Sequence, residues 1–419
     1  MKVLSINQSD IDGGAARATN RVASKLLEMN VDIKVLVMRK LGRSEWVIGP
    51  KNVPEVIISR LLPRLDLIMK RILGVFTHYS WSLNLFPNFL LKKEFINSFD
   101  VIHLNWVGKN MLPINWIRHF KKPVIWTLHD SWAFTGGCHI PYDCRNFENS
   151  CGYCPQLNEN SKNDISYKMW RRKANNYHNA QFHFVAPSHW IANQAKASSL
   201  LKDFPISVIP NGLDTKIYAP TDKRESRKSL NLPNDKRIIL FGAMYADTDK
   251  NKGMALLLDA LNILVESDSS FTKNHLLVIF GTENKTLSEI FPIPVICFGV
   301  INNERTLGNI YSSADLTVVP SRSESFGQVA SESLSCGTPV VAFNTTGLKD
   351  IVDHLETGYL AKSFQVLDLA KGIRLVAKDT SANRIMSVMA RQRAVERFDI
   401  EVVAKKYLAL YEQLLSVNN

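Results

Sequence analysis

Residues 316–343 read LTVVPSRSESFGQVASESLSCGTPVVAF and contain one complete unit of the fold. The apolar runs Leu316–Val319 and Val340–Phe343 are rich in β-branched residues and lack alternation, as strands buried on both faces do. Between them, Ser325-Phe326-Gly327 makes a turn and Gln328–Ser335 has helical character. The order strand, helix, strand predicts two parallel strands joined by a helix.

The same alternation extends through most of the chain. Eight further apolar runs are bounded by turns, and many precede a segment with helical spacing: Val3–Ile6, Ile33–Val37, Val101–Leu104, Val124–Leu128, Phe182–Val185, Ile238–Phe241, Leu276–Phe280 and Val295–Phe298. This pattern predicts an α/β protein with parallel sheets.

The length suits two domains. A chain of 419 residues is too long for one ordinary core and fits two domains of about 200 residues each. The alternation of strands and helices ends near Lys202–Pro205 and begins again at Arg237, and the turn-rich segment Ile209–Asp214 lies between them. We therefore place the hinge at residues 203–212. We predict a first domain at 1–205, a second at 206–395, and a C-terminal helix at 396–419 that packs back on the first domain.

Composition and charge exclude several classes of protein. Hydrophobic residues make up 45% of the chain and charged residues 21%, which rules out a disordered, collagen-like or coiled-coil polymer. The net charge of +12 lies entirely in residues 1–200, which carry 26 basic and 14 acidic side chains, whereas the remaining residues carry 25 of each. The first domain is therefore expected to face a nucleic acid, a phosphorylated ligand or an acidic membrane leaflet.

The apolar segments predict a cytoplasmic protein. Met1–Asn7 has only a short apolar run, which does not form a secretory signal, and no stretch reaches the ~20 uninterrupted apolar residues that span a bilayer.

One segment does not fit the alternation of strands and helices. Residues 57–76, IISRLLPRLDLIMKRILGVF, indicate a basic amphipathic helix broken near Pro63, with Arg60, Arg64, Lys70 and Arg71 among its apolar residues. The helix lies either on a membrane surface or on the first sheet with its basic side in water. The charge surplus of the first half favours the membrane.

Two short patterns indicate ligand binding. Gly13-Gly14 stands where the first strand turns into a helix, so it either offers N–H groups to an anion or makes a tight turn of no functional consequence. Glu324 lies in the loop after a strand, and Glu332 lies about two turns into the next helix, ~12 Å along it. Two such carboxylates suit the hydroxyls of two sugars, as in a nucleotide-sugar; alternatively one favours the helix dipole and the other is simply solvated.

Four cysteines fall close together in a loop at 136–157. Their spacing, C-x5-C-x6-C-x2-C, fits a tetrahedral zinc site, and free thiols are the alternative; the four are Cys138, Cys144, Cys151 and Cys154. Cys297 and Cys336 are interpreted as buried thiols.

Residues 321–347 resemble the E-x7-E signature of retaining glycosyltransferases of family 4, which have the GT-B fold of two Rossmann-like domains with parallel sheets facing across a cleft. Further segments resemble the same family in order along the chain: Gly13-Gly14-Ala15, Thr127–Asp130, Ala186-Pro187-Ser188, Ile209–Asp214, Lys252-Gly253, Tyr311–Asp315 and Gly358-Tyr359-Leu360. The TGGC and CxxCPQL pieces resemble a bacterial subgroup of the family that builds surface polysaccharides.

The resemblance implies a role for each matching residue. Lys252 would contact the diphosphate of a nucleotide-sugar, Glu324 the hydroxyls of the transferred sugar, and Glu332 the ribose. His129 would face the sugar or the acceptor, and Gly13 and Gly14 would lie in the donor-binding loop of the first domain. The donor would also be lined by the backbone amides of Ser325, Phe326 and Gly327.

The sequence departs from the family in one place. The family usually adds an arginine upstream of the phosphate-contacting lysine, but Phe241–Asp247 contains none. Arg17, Lys250 or the amides of Gly13 and Gly14 are candidates to replace it. No cofactor is expected for catalysis, although a structural zinc is possible at the four cysteines.

These features predict a retaining glycosyltransferase that moves a hexose from a UDP- or GDP-sugar to a lipid-linked saccharide in cell-surface polysaccharide biosynthesis. The protein would be cytoplasmic and peripheral to the inner face of the cytoplasmic membrane, with no nucleic-acid partner. The alternative is a basic, metal-containing nucleic-acid-binding protein.

Overall fold

The computed structural model describes residues 1–77, 79–178, 180–244, 248–378 and 380–417. The chain forms two compact units, one made of Met1–Pro210 with Val403–Asn419 and the other of Asn211–Val402. They are called unit 1 and unit 2 below. The chain passes from unit 1 to unit 2 after Pro210 and back to unit 1 after Val402, whereas the predicted domain ends are residues 205 and 395.

Unit 1 is built on a seven-stranded parallel sheet. The strand order is β3-β2-β1-β4-β5-β6-β7, with β1 at Lys2–Ser9, β2 at Asp32–Arg39, β3 at Val47–Ile48, β4 at Val101–Leu104, β5 at Val124–Thr127, β6 at Phe182–Ala186 and β7 at Ile206–Val208. Its first five helices are α1 at Gly14–Glu28, α2 at Val53–Ile72, α3 at Lys93–Ile96, α4 at Ile165–Tyr177 and α5 at His189–Ala197.

Unit 2 repeats the architecture with a six-stranded parallel sheet. The strand order is β10-β9-β8-β11-β12-β13, with β8 at Arg237–Gly242, β9 at His275–Phe280, β10 at Val295–Cys297, β11 at Leu316–Val319, β12 at Val340–Phe343 and β13 at Gly358–Ala361. Its helices are α6 at Lys223–Ser229, α7 at Met254–Ser267, α8 at Phe271–Asn274, α9 at Glu304–Ser313, α10 at Gln328–Ser335, α11 at Val366–Val376 and α12 at Ser381–Phe398. A last helix, α13 at Ile400–Val417, belongs mostly to unit 1.

The predicted parallel sheets are confirmed, because all ten apolar runs form strands and every neighbouring pair is parallel. Three strands were not predicted: β3, β7 and β13. Each has two to four residues and lies at the edge of its sheet. A short edge strand needs few apolar residues, so it leaves no long apolar run in the sequence.

Helix α2 corrects the prediction of a break near Pro63, because the helix runs through this proline. Its inner side is hydrogen-bonded to the segments before and after β4. The buried Asp66 carboxylate accepts hydrogen bonds from the N–H groups of Leu83 and Asn84, both at 3.1 Å, and the Leu62 carbonyl accepts one from the Asn110 side chain at 2.8 Å. These contacts keep the helix continuous at Pro63, although proline has no N–H group to donate to the carbonyl one turn earlier.

Helix α13 is attached to the sheet of unit 1 by a buried polar cluster. Tyr411 Oη lies 2.8 Å from His103 Nδ1, and Thr127 Oγ1 lies 2.7 Å from His103 Nε2 and 3.1 Å from Tyr407 Oη. Burial lowers the pKa of His103 to about 3, so its ring is neutral at physiological pH.

No helix in the described part of the chain is both long enough and apolar enough to cross a membrane.

Candidate functional site

Lys252 and Glu324 meet at one edge of the unit 2 sheet. Lys252 ends a short turn in the segment between β8 and α7, and Glu324 follows β11, the strand next to β8. Because parallel strands end at the same edge, both side chains lie where ligands of open α/β sheets bind. Lys252 Nζ is 2.9 Å from Glu324 Oε1, and the two side chains are 25% and 20% exposed.

The electrostatics favour the charged form of this lysine. Burial by itself would lower the pKa of Lys252, but the charge and hydrogen bond of Glu324, together with Asp249, raise it above its ordinary value. The lysine is therefore a permanent cation beside a carboxylate, at a point that solvent and ligands can reach.

Backbone contacts hold the two loops together. The N–H of Arg322 donates to the Asn251 carbonyl, and the Asn251 side chain donates to the Ser323 carbonyl, both at 2.8 Å. Gly253 has φ +73°, and a Cβ there would lie 2.0 Å from the Pro320 carbonyl oxygen. Only glycine permits this approach, which fixes Lys252 against the loop that carries Glu324.

Glu332 is held differently from Glu324. It lies in α10, only 4% exposed, and Tyr311 Oη on α9 donates to its Oε2 at 3.0 Å. The prediction included Glu332 but assigned no role to Tyr311, because the sequence alone does not show that α9 and α10 bring the two together. The segment Tyr311–Asp315, noted only for its family resemblance, was the available signal.

The turn before α10 is shaped by a neighbouring loop. The N–H of Glu324 donates to Thr346 Oγ1 at 3.0 Å, and the N–H of Gly347 donates to the Glu324 carbonyl at 2.8 Å. Gly327 immediately precedes α10 and has φ +111°, and the Phe326 side chain is buried against Phe398. Ser325, Phe326 and Gly327 thus form a fixed turn beside Glu324.

The predicted residues of unit 1 lie at the ends of its central strands. Gly13 precedes α1 with φ +93°, and a Cβ on it would meet no other atom within 4 Å, so its backbone conformation is what requires glycine. Gly14 is the first residue of α1. The loop before them is anchored, because the Asp10 carboxylate accepts hydrogen bonds from Leu41 and Gly42 N–H at 2.8 Å each.

His129 follows β5 and lines a small pocket at the ends of β4 and β5. Its Nε2 lies 3.1 Å from Asn105 Oδ1, while Asn105 Nδ2 donates to Ser5 Oγ at 2.9 Å. Asn105 therefore presents its oxygen, and His129 donates through Nε2–H. Burial lowers the pKa of His129 to about 4, so the ring is neutral at physiological pH. The residues Asn105, Trp106, Asp130 and His139 also line this pocket, and the sequence did not predict them as site residues.

The four clustered cysteines have free thiols. Burial raises the pKa of Cys151 to about 12 and that of Cys154 to about 11, and it also raises the pKa values of Cys138 and Cys144. Cys151 Sγ accepts a hydrogen bond from the N–H of Gly136 at 3.2 Å. Within the described ranges, no three His, Cys, Asp or Glu side chains are arranged to hold one metal ion. Zinc ligation by these cysteines stays a prediction.

Of the candidates for the missing arginine, Arg17 lies in α1 of unit 1 and Lys250 lies in the same short turn as Lys252. Lys250 is exposed. Residues 245–247, the end of the segment that lacks the arginine, lie outside the described residues.

Comparison with known proteins relates each unit to a glycosyltransferase family model. Residues 12–217 match the family model Glycosyltransferase Family 4, and residues 222–393 match the model Glycosyl transferases group 1. A D-inositol 3-phosphate glycosyltransferase of Thermobispora bispora is 27% identical over 221 residues, which is 50% of this chain and 51% of the relative. The chain thus spans about half the length of the curated relatives it matches.

Solved structures share the fold over almost the whole chain. Sucrose-phosphate synthase from Thermosynechococcus elongatus has a TM-score of 0.71 at 19% identity, with 100% of both chains covered. Anabaena HepE in complex with UDP and glucose has a TM-score of 0.67 at 17% identity, covering 99% of this chain and 100% of HepE. None of these findings supports the nucleic-acid-binding alternative. The two family models, one over most of each unit, and the shared GT-B fold identify the chain as a glycosyltransferase of the family 4 type.

Proposed function

We propose that this protein is a retaining hexosyltransferase that uses a UDP- or GDP-sugar and a lipid-linked saccharide acceptor in cell-surface polysaccharide biosynthesis. The observation that carries the proposal is the Lys252–Glu324 ion pair at the carboxyl edge of the unit 2 sheet. A permanent cation and a carboxylate at this edge are what an anionic diphosphate bonded to a polyhydroxylated sugar requires.

In this proposal, unit 2 binds the donor. Cleavage of the bond between sugar and phosphate places negative charge on the leaving diphosphate, and the Lys252 ammonium stabilises that charge in the transition state. Glu324, relieved of its ion pair, accepts hydrogen bonds from hydroxyls of the transferred sugar. The turn Ser325-Phe326-Gly327 offers N–H groups beside it.

Retention follows from attack on the face from which the diphosphate leaves. The leaving phosphate oxygen takes the proton of the acceptor hydroxyl, so neither Glu324 nor Glu332 serves as nucleophile or general base. The neutral ring of His129 in unit 1 contacts the sugar or the acceptor without transferring a proton.

Glu332 suits the ribose of the donor. Its carboxylate is almost fully buried, and the Tyr311 hydroxyl donates to one oxygen. A carboxylate fixed in this way accepts hydrogen bonds from the two neighbouring ribose hydroxyls without losing side-chain freedom on binding.

The solved relatives agree with a nucleotide-sugar donor. HepE, which has the same fold, has been solved with UDP, with UDP-glucose, and with UDP and glucose. The curated relatives are named D-inositol 3-phosphate glycosyltransferases, a name that contains a phosphate-bearing compound. The positive charge of residues 1–200 favours a phosphate-bearing acceptor here, and the diphosphate of a lipid-linked saccharide supplies one.

Helix α2 supports attachment to a membrane. Its outer face carries exposed arginines among large apolar side chains that are 43–71% exposed: Arg60, Arg64 and Arg71 with Val53, Ile57, Leu61, Leu67, Ile68 and Ile72. Only Leu62 and Asp66 of this helix are fully buried. The exposed face of this helix thus combines apolar side chains with cations. Such a face suits a surface that is both apolar and anionic, and the inner leaflet of a bacterial membrane is such a surface.

Donor binding is tested by thermal unfolding with UDP, GDP and their hexose conjugates. A ligand at 100 times its dissociation constant stabilises the folded protein by about 2.7 kcal/mol. We expect wild type to be stabilised by one nucleotide series, and Lys252→Ala and Glu324→Ala to lose transferase activity while remaining folded. Lys371→Ala and Glu266→Gln, which change exposed residues elsewhere in unit 2, are the matched controls. Wild-type activity in both site variants would falsify the assignment.

A further inference from the structure

The pocket beside His129 contains a carboxylate, Asp130, that the proposed function does not use. The pocket is lined where β4 and β5 end, by Asn105, Trp106, His129, Asp130 and His139 among others. The Asp130 side chain is 17% exposed. It is therefore reachable from the pocket although most of it is enclosed.

Three donors fix the Asp130 carboxylate. Trp106 Nε1–H donates to its Oδ2 at 2.5 Å, and His139 Nδ1 lies at the same distance from that oxygen. The N–H of Trp132 donates to Oδ1 at 2.8 Å. A carboxylate has about four positions for incoming donors, so about one remains on Oδ1. Burial by itself would raise the pKa of Asp130, but His139, with the Trp132 N–H and Trp106, holds it below its ordinary value.

The orientation of His139 follows from the group behind it. Ser82 Oγ accepts a hydrogen bond from Lys109 N–H at 3.2 Å and lies 2.8 Å from His139 Nε2. The serine proton is thus available for Nε2, which leaves the imidazole proton on Nδ1, facing Asp130. Ser82 and His139 are 1% and 5% exposed, so Ser82 is enclosed and His139, although it lines the pocket, presents little surface there.

Ser82 and His139 are packed closely against Trp106 and Gly108. The rings of His139 and Trp106 stack, with centroids 5.3 Å apart and planes inclined by 28°. A Cβ on Gly108 would lie 3.0 Å from both His139 Cε1 and Ser82 Oγ. Of these groups, His139 and Trp106 contact Asp130 directly, and Ser82 contacts it only through His139.

We propose that Asp130 is a binding residue for a sugar hydroxyl, and that His139, backed by Ser82, is the positioning residue that aims its carboxylate. The inference rests on the proposed function, because it assumes a sugar substrate. The pocket is small, so it admits a single hydroxyl or hydroxymethyl group rather than a whole ring. An ionised acceptor flanked by an aromatic ring suits a neutral hydroxyl donor and repels a phosphate.

The hydroxyl comes either from the sugar of the donor or from the acceptor saccharide, and binding measurements separate the two. The probes are UDP-glucose, UDP-galactose and GDP-mannose, each compared with its nucleotide alone, and the free hexoses in the presence of saturating nucleotide. We expect Asp130→Asn to weaken one of these two sugar-dependent effects about tenfold, as losing a charged hydrogen bond implies, and to leave binding of the nucleotide alone unchanged.

Two substitutions of His139 separate positioning from general structure. The amide nitrogen of Asn lies near the place of Nδ1, whereas that of Gln lies near the place of Nε2. His139→Asn should therefore retain sugar binding, and His139→Gln should weaken it about as much as Asp130→Asn does. Equal thermal unfolding midpoints of the two variants would show that the difference is not one of folding.

The outcomes are distinct from those that test the proposed function. If no nucleotide stabilises the wild-type protein, the proposed function fails. If nucleotide binds but Asp130→Asn shows the wild-type sugar dependence, or if wild type shows no sugar dependence with any probe, the role of Asp130 is overturned while the donor site stands. Equal sugar binding by His139→Asn and His139→Gln would overturn the role of His139.

Discussion

Replacing the three exposed arginines of α2 with glutamine should release the protein from anionic membranes. The variant is Arg60→Gln, Arg64→Gln and Arg71→Gln. Lys70 is excluded because its ammonium donates to the Trp81 carbonyl at 3.0 Å and belongs to the attachment of the helix to unit 1. The three arginines are exposed, so folding should not change.

The size of the effect follows from the number of charges. A basic residue near an anionic leaflet contributes about 1 kcal/mol, so removal of three should weaken binding by about 3 kcal/mol, or roughly a hundredfold. The exposed apolar residues of α2 remain, so weak binding to neutral vesicles should be the same in both proteins. High salt should remove most of the difference, because the Debye length falls from about 10 Å at 0.1 M to about 3 Å at 1 M.

The assay is co-sedimentation with vesicles of phosphatidylglycerol and phosphatidylcholine, with pure phosphatidylcholine for comparison. The matched control changes three exposed arginines of unit 1 that lie outside α2, namely Arg43, Arg118 and Arg171, to glutamine. It loses the same net charge. If test and control variants bind anionic vesicles equally well, the helix has no special role and the reasoning is wrong. Wild-type protein that binds neither vesicle would refute membrane attachment through this face.

Two further predictions concern buried groups. Tyr311→Phe removes the hydrogen bond to Glu332, so the free energy of unfolding of unit 2, measured in urea, should fall by about 1.5–3 kcal/mol. The variant should also bind nucleotide more weakly. Unchanged nucleotide affinity would show that Glu332 does not bind the ribose. Since the folded-state pKa values of His103 and His129 are lowered to about 3 and about 4, the unfolded chain takes up protons that the folded chain does not. Above pH 6.5, the two histidines should therefore not lower the free energy of unfolding. Below pH 6.5, the free energy of unfolding should fall by about 1.4 kcal/mol per histidine for each pH unit, until the pH reaches the folded-state pKa. His103→Gln should reduce this slope in urea titrations between pH 7 and pH 5, and an unchanged slope would contradict the assignment to His103.

The strands were predictable because burial on both faces leaves long β-branched runs in the sequence. Val340–Phe343 and Leu316–Val319 are fully buried strands in the middle of their sheet. The loops that follow the strands carry the polar residues of the site, so sequence order indicates which edge of the sheet they reach. The number of residues between Lys252 and Glu324, however, does not indicate how close their side chains lie in the folded protein.

The remaining features depend on contacts that no local pattern records. The sequence rule for proline predicts a break at Pro63, but Asp66 and Leu62 are bonded to distant backbone and side-chain groups that keep α2 continuous. Asp130 and His139 are nine residues apart on a loop, where neither helical nor strand periodicity applies. Their pairing was found only from the fold.

The path of the chain has a consequence for synthesis on the ribosome. Unit 2 is one uninterrupted stretch, so all of its strands and helices are available as soon as Val402 has left the exit tunnel. Unit 1 must wait for Tyr407 and Tyr411, since the polar groups of His103 and Thr127 have these hydroxyls as partners. The half of the chain made first therefore finishes folding last.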